Sequence, residues 1–122
     1  MYRAIFISLY LFSSGVFASN IAELEKRNIA DAAKPNGKNI EMEVVKNFWG
    51  NAKFMMQCIP PGSPIHKPFT IYIEILKTGK IGQLAFTLNT KATKCIETFV
   101  RKKQFIKPKN SFVAKIKLHF KE

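Results

Sequence analysis

Carboxylates are scarce through most of this chain. It has eight Asp and Glu residues, and beyond Val44 only Glu74, Glu97 and Glu122 remain. Paired-carboxylate catalysis, one group as acid and another as base, is hard to assemble from these three. Histidine is scarcer: His66 and His119 are the two present. His66 lies in a Pro-bounded loop and His119 on the outer face of a terminal strand, so neither suits a nucleophile–base–acid triad. A metal site needs three or four ligands, and nothing in the spacing of two His and two Cys suggests one. The expectation is no enzyme activity, no cofactor and no small-molecule substrate. Internal repeats and low-complexity tracts are also lacking. No apolar run reaches the roughly 20 residues of a membrane-spanning helix.

Cys58 and Cys95 are the two cysteines. They lack the C-x-x-C spacing of a redox pair. The amino terminus supplies their context. Met1-Tyr2-Arg3 is followed by an apolar run from Ala4 to Phe12 and a small-residue exit, Val16-Phe17-Ala18. This reads as a signal peptide over residues 1–18, cleaved after Ala18. With its small-residue exit, the stretch from Ala4 to Ala18 is about 15 residues, short of a lasting anchor. An exported chain meets an oxidising compartment, which closes a lone cysteine pair into a disulfide. The expected address is periplasmic or secreted.

Charge is unevenly spread. Residues 19–43 hold four Lys/Arg and five Asp/Glu, whereas residues 44–122 hold fifteen Lys/Arg and three Glu. The second region therefore projects a positive field that favours anionic surfaces and speeds association.

The pattern places a flexible leader or linker over residues 19–38, with at most a loose helix from Asn20, ended by Pro35-Asn36-Gly37. A domain over residues 39–122 follows. Asn39 is expected to cap a helix running to about Gln57. Its apolar stripe is Val45, Phe48, Trp49, Ala52, Met55 and Met56, with a bend at Gly50-Asn51. Cys58 ends it, and Pro60-Pro61-Gly62-Ser63-Pro64 stops it. Phe69–Leu76 alternates with Phe69, Ile71, Ile73 and Ile75 on one face. A turn at Lys77-Thr78-Gly79-Lys80 leads into a returning strand, Ile81–Leu88. A second helix is expected from Thr90 to about Lys103, with Ala92, Cys95, Ile96, Phe99 and Val100 as its core face. Arg101, Lys102 and Lys103 would occupy its last turn, favourably for the helix dipole. Phe112–Phe120 is the last strand, its Lys115, Lys117, His119 and Lys121 on a basic solvent face. The expected fold is α+β, in the order helix-strand-strand-helix-strand. Two helices pack on one face of a three-stranded antiparallel sheet.

From Val44 to Phe120 this order resembles the TonB carboxy-terminal domain family, in its cysteine-containing branch of gliding-motility and related envelope proteins. The resemblance rests on Phe54-Met55-Met56-Gln57-Cys58, the hairpin Ile71–Ile81 with its turn glycine, and Lys94-Cys95-Ile96-Glu97-Thr98-Phe99-Val100. Phe105-Ile106-Lys107-Pro108 and the alternating terminal strand complete it. It implies a non-enzymatic envelope module, since TonB domains pair a strand with a short segment of an outer-membrane transporter. TonB domains normally follow a membrane anchor and a proline-rich spacer. This chain shows a signal peptide and no such arm, so a free-standing binding or structural role is expected in place of energy transduction.

The sequence supports three readings. The first is a protein-interaction module for an envelope protein, with the terminal strand at a sheet edge able to accept an extended segment. The second is a basic binder of an anionic polymer or membrane surface, such as lipopolysaccharide or nucleic acid. Arg101, Lys102, Lys103, Lys107, Lys109, Lys115, Lys117 and Lys121 are its candidate residues, set against the alternative of a merely solvating face. Nucleic-acid binding would gain from exposed aromatics, and Tyr72, opposite the Phe69–Ile75 stripe, is the one candidate. The third is an inhibitor of a toxin or hydrolase.

Overall fold

The alternating stretch Phe69–Ile75 becomes the central strand of the molecule. The computed structural model describes residues 20–50, 53–59 and 67–119. Strand β1 (Phe69–Ile75) lies between β2 (Ile81–Phe86) and β3 (Phe112–Leu118), antiparallel to both. Both outer strands stop short of their expected ends. The turn forms as expected, with Gly79 at φ +83°. A side chain there would run into the Gln104 amide, whose Nε2 donates to the Thr78 carbonyl at 2.9 Å.

One sheet face is apolar throughout. Phe69, Ile71, Ile73 and Ile75 of β1 and Phe112, Ala114, Ile116 and Leu118 of β3 are all buried. Helices α2 (Gly37–Trp49), α3 (Lys53–Cys58) and α4 (Lys91–Val100) contribute Val44, Phe48, Met55, Cys58, Ile96 and Val100 to the same core. The chain is therefore an α+β domain of the expected order.

The first expected helix is two helices. α2 closes at Trp49, Gly50 donates back to the Asn47 carbonyl, and α3 restarts at Lys53. Asn39 does not cap α2. Asn36 holds that position in the left-handed region, φ 67°, with no side-chain cap, and the Asn39 amide bonds the Asn36 side chain at 2.8 Å. The inward residues of α2 are Val44 and Phe48, while Trp49 is 39% exposed. Ala52 lies outside the described residues, as do residues 60–66 and 120–122.

Thr90 caps α4 as expected, in a reciprocal pair with Thr93 (Thr93 N–H to Thr90 Oγ1, 3.2 Å; Thr90 N–H to Thr93 Oγ1, 2.8 Å). The Thr93 hydroxyl also donates to the Thr90 carbonyl, so Thr93 is buried at no polar cost. The helix ends at Val100. Arg101, Lys102 and Lys103 follow it and do not form its last turn. Cys58 and Cys95 form a disulfide, Cα atoms 5.5 Å apart, that ties the end of α3 to α4.

The largest departure is at residues 19–38. Residues 20–33 are a helix, α1, docked on the sheet face that the terminal strand was expected to leave to solvent. Leu24 is fully buried there against Tyr72, Ala85 and Val113, with Ile21 beside it. Arg27 pairs with Glu74 at 2.7 Å. Asn28 and Asp31 are also buried. Tyr72 is thus a covered residue, 4% exposed, and no stacking platform.

Asp31 and Asn28 stand one helical turn apart and meet the same β3 residue. The Val113 N–H donates to Asp31 Oδ2 at 2.9 Å, and Asn28 Nδ2 donates to the Val113 carbonyl at 2.9 Å. Asp31→Ala strands a buried N–H, which costs about 1–3 kcal/mol. Chemical denaturation should show that loss, with Asp31→Asn recovering part of it because it keeps an acceptor.

Candidate functional site: the two sheet edges and the basic surface

The sheet order leaves β2 and β3 at the edges, and the hydrogen-bond phase shows which backbone groups face out. Thr87 N–H donates to the Thr70 carbonyl at 3.0 Å. In an antiparallel ladder such bonded pairs alternate with unbonded ones. The partners Tyr72 and Ala85 are therefore also bonded, whereas Phe86 and Leu84, opposite Ile71 and Ile73, turn their N–H and C=O outward. The same phase turns Val113, Lys115 and Lys117 of β3 outward.

The two edges differ in how they are covered. On β3, Asn28 and Asp31 hold Val113, and Glu41 Oε2 of α2 accepts from the Lys115 N–H at 3.1 Å. Asn28 Nδ2 also donates to Glu41 at 2.6 Å, which links the three side chains into one row. They act as a substitute strand along the first part of the β3 edge. The terminal strand does lie at a sheet edge, as expected, but its first part is already occupied by these side chains. On β2, among the described residues, no hydrogen bond reaches the outward backbone of Leu84 or Phe86. Leu84, Phe86 and Leu88 are half-buried against the core, so an apolar shelf lies beside that open edge.

The basic residues do not gather into one patch. Arg101 is exposed and pairs with Glu97 at 2.9 Å. Lys102 is exposed, and Lys103 is half-buried, its ammonium donating to the Asn47 carbonyl at the end of α2. Burial pushes the Lys103 pKa below its usual value. These three lie with α2 and α4 on one side of the sheet. Lys115 and Lys117 project from the opposite face, Lys115 half-buried and Lys117 exposed, beside exposed His119. Lys107 and Lys109 sit in the loop before β3, both exposed. Lys109 lines a cleft of about 260 Å³ with Asp31, Lys34, Asn36 and Phe112. Lys121 lies outside the described residues, as does His66.

Of the three carboxylates noted in the sequence beyond Val44, Glu74 and Glu97 are engaged and Glu122 lies outside the described residues. Glu74 holds Arg27 and also accepts from the Gln83 N–H at 2.9 Å; Glu97 holds Arg101. Tyr72 has its phenol pKa raised, first by burial and second by the Glu25 carboxylate. Among the described residues no helix is long and apolar enough to cross a membrane. Residues 1–18, whose pattern reads as a signal peptide, lie outside the described residues.

Comparison with family models, with curated proteins and with solved structures finds no match.

Sequence reasoning missed Asn28, Asp31 and Glu41. A signal was present, because Ile21, Leu24, Asn28 and Asp31 recur at helical spacing on one face. Two of the four are polar, so the stripe looked like a solvated surface.

Proposed function

We propose that this chain is an exported, non-enzymatic protein-interaction module of the cell envelope, TonB carboxy-terminal-like in layout, that receives an extended segment of a partner along β2. The observation that carries the reading is the contrast between the edges: Asn28, Asp31 and Glu41 occupy β3, while Leu84 and Phe86 present outward backbone beside half-buried apolar side chains. An added strand would gain ladder hydrogen bonds and cover Leu84, Phe86 and Leu88. The export half of the reading draws its support from the residue 1–18 pattern together with the disulfide.

Proline removes an N–H without disturbing the ladder when that N–H faces outward. Leu84→Pro and Lys117→Pro therefore form a matched pair, one at each edge. Tagged protein incubated with envelope extract should retain a partner, and Leu84→Pro should weaken retention by about tenfold, the worth of one lost hydrogen bond with its shelf contact. Lys117→Pro should retain it fully. Capture of no protein by the parent chain, or equal capture by both variants, rejects the β2 reading.

A further inference from the structure

The outward face of α2 carries an arrangement that the β2 reading does not use. Val44 and Phe48 fix its inward side, both fully buried. Helical geometry, at 100° per residue, then places Lys38, Met42, Lys46 and Trp49 together on the opposite side. All four are exposed, Met42 at 57% and Trp49 at 39%. A protein this small has reason to bury a Trp and a Met. Here two of the four large apolar side chains most exposed among the described residues share one helix face, and lysines alternate with them.

The electrostatics of this face have one sign. Glu43 stands at its margin, 3.7 Å from Lys46, and an exposed pair of that kind is weak and screened. Lys53 opens α3 just beyond Trp49 and is exposed. The Lys103 contact to the Asn47 carbonyl brings the Arg101-Lys102-Lys103 turn to the same end of α2. The whole chain carries a formal charge of +12, so the long-range field also draws anionic surfaces toward it.

We propose that this face of α2 docks on an anionic phospholipid bilayer, with Trp49 and Met42 entering the headgroup region and Lys38 and Lys46 meeting lipid phosphates. The chemistry favours a bilayer over a polynucleotide. Tryptophan settles at the membrane–water boundary, and an aliphatic thioether such as Met42 gains from apolar depth there. A single-stranded polynucleotide calls for a series of aromatic platforms, and this face has one aromatic ring. The proposal is independent of the β2 edge, which involves none of these residues.

Trp49 is the one tryptophan of the chain, so its fluorescence reports this face alone. With vesicles of phosphatidylglycerol and phosphatidylcholine at low salt, emission should shift to the blue and brominated acyl chains should quench it. Vesicles of phosphatidylcholine alone should do neither, and about 0.5 M salt should reverse the shift. Lys38→Glu/Lys46→Glu should weaken vesicle binding by about tenfold or more, with an unchanged circular dichroism spectrum. Lys117→Glu, on the other side of the sheet, should bind as the parent does. An unshifted Trp49 with anionic vesicles overturns the proposal. So does equal weakening by Lys117→Glu, or a blue shift obtained with double-stranded DNA and not with vesicles.

Discussion

Cys58→Ser/Cys95→Ser is expected to lower the thermal midpoint by about 15–30 °C. The bridge spans a sequence separation of 37 residues, and closing a loop of that length restricts the unfolded chain by about 4 kcal/mol. In a domain of this size each kcal/mol moves the midpoint by roughly 4–8 °C. The folded side of the balance points the same way. α3 is six residues long, far below the length at which a helix holds itself together in water. Its described anchors are Met55 and Cys58, and the sulfur link to α4 is the stronger of the two. Loss of the bridge should therefore appear first as fast amide exchange in α3. Calorimetry of parent and double variant tests the magnitude, and intact mass two hydrogens below the reduced value tests the bridge. An unchanged midpoint would mean that α3 is held by other contacts.

Leu24→Ala should cost about 2–5 kcal/mol, the range for emptying a fully buried leucine site. Leu24 is the single fully buried apolar residue of α1 and packs on Tyr72, Ala85 and Val113. Tyr72 provides a second readout. Its pKa is raised by burial and by Glu25, so the folded state keeps a proton that the unfolded state releases near pH 10. From about pH 10 upward the unfolded state binds fewer protons, and stability falls as the pH rises toward the folded value. Below pH 10 the group contributes its full share. In Leu24→Ala, where α1 lifts from the sheet, the phenol should titrate closer to its ordinary value. Denaturation curves together with ultraviolet titration of tyrosinate check both parts. A normal midpoint with an unmoved titration would show that α1 contributes little.

The strands were legible because their apolar residues alternate without interruption. Phe69, Ile71, Ile73 and Ile75 required one buried face, and Gly79 between the two runs required a turn. The disulfide was legible from cysteine number and the residues ahead of it. Helix phase was harder to read. Val45, Phe48 and Trp49 looked like one stripe, but burial of Val44 with Phe48 rotates the helix and turns Trp49 outward. The same ambiguity concealed the outward lysine–Met42–Trp49 face.

The opposite sheet face was illegible for a physical reason. Polar residues usually mark solvent, yet Asn28, Asp31 and Glu41 are polar because they meet backbone amides and a carbonyl. A buried side chain that bonds a strand edge resembles a surface side chain in every one-dimensional pattern. Missing α1 also made Tyr72 look exposed and the Lys115 strand look bare. The candidate site shared that fate, since only the bond pattern distinguishes the covered edge from the open one.

The Asn28–Asp31 contacts with Val113 also set the order in which this chain can be completed. They join positions 85 and 82 residues apart, near opposite ends of the described chain. Contacts of such sequence separation form late and slow the search for the native state. Leu24 of α1 finds Tyr72 and Ala85 once β1 and β2 have paired, but Asn28 and Asp31 have no Val113 to bond until β3 joins β1. A chain emerging amino-terminus first cannot make these two contacts until Val113 is available.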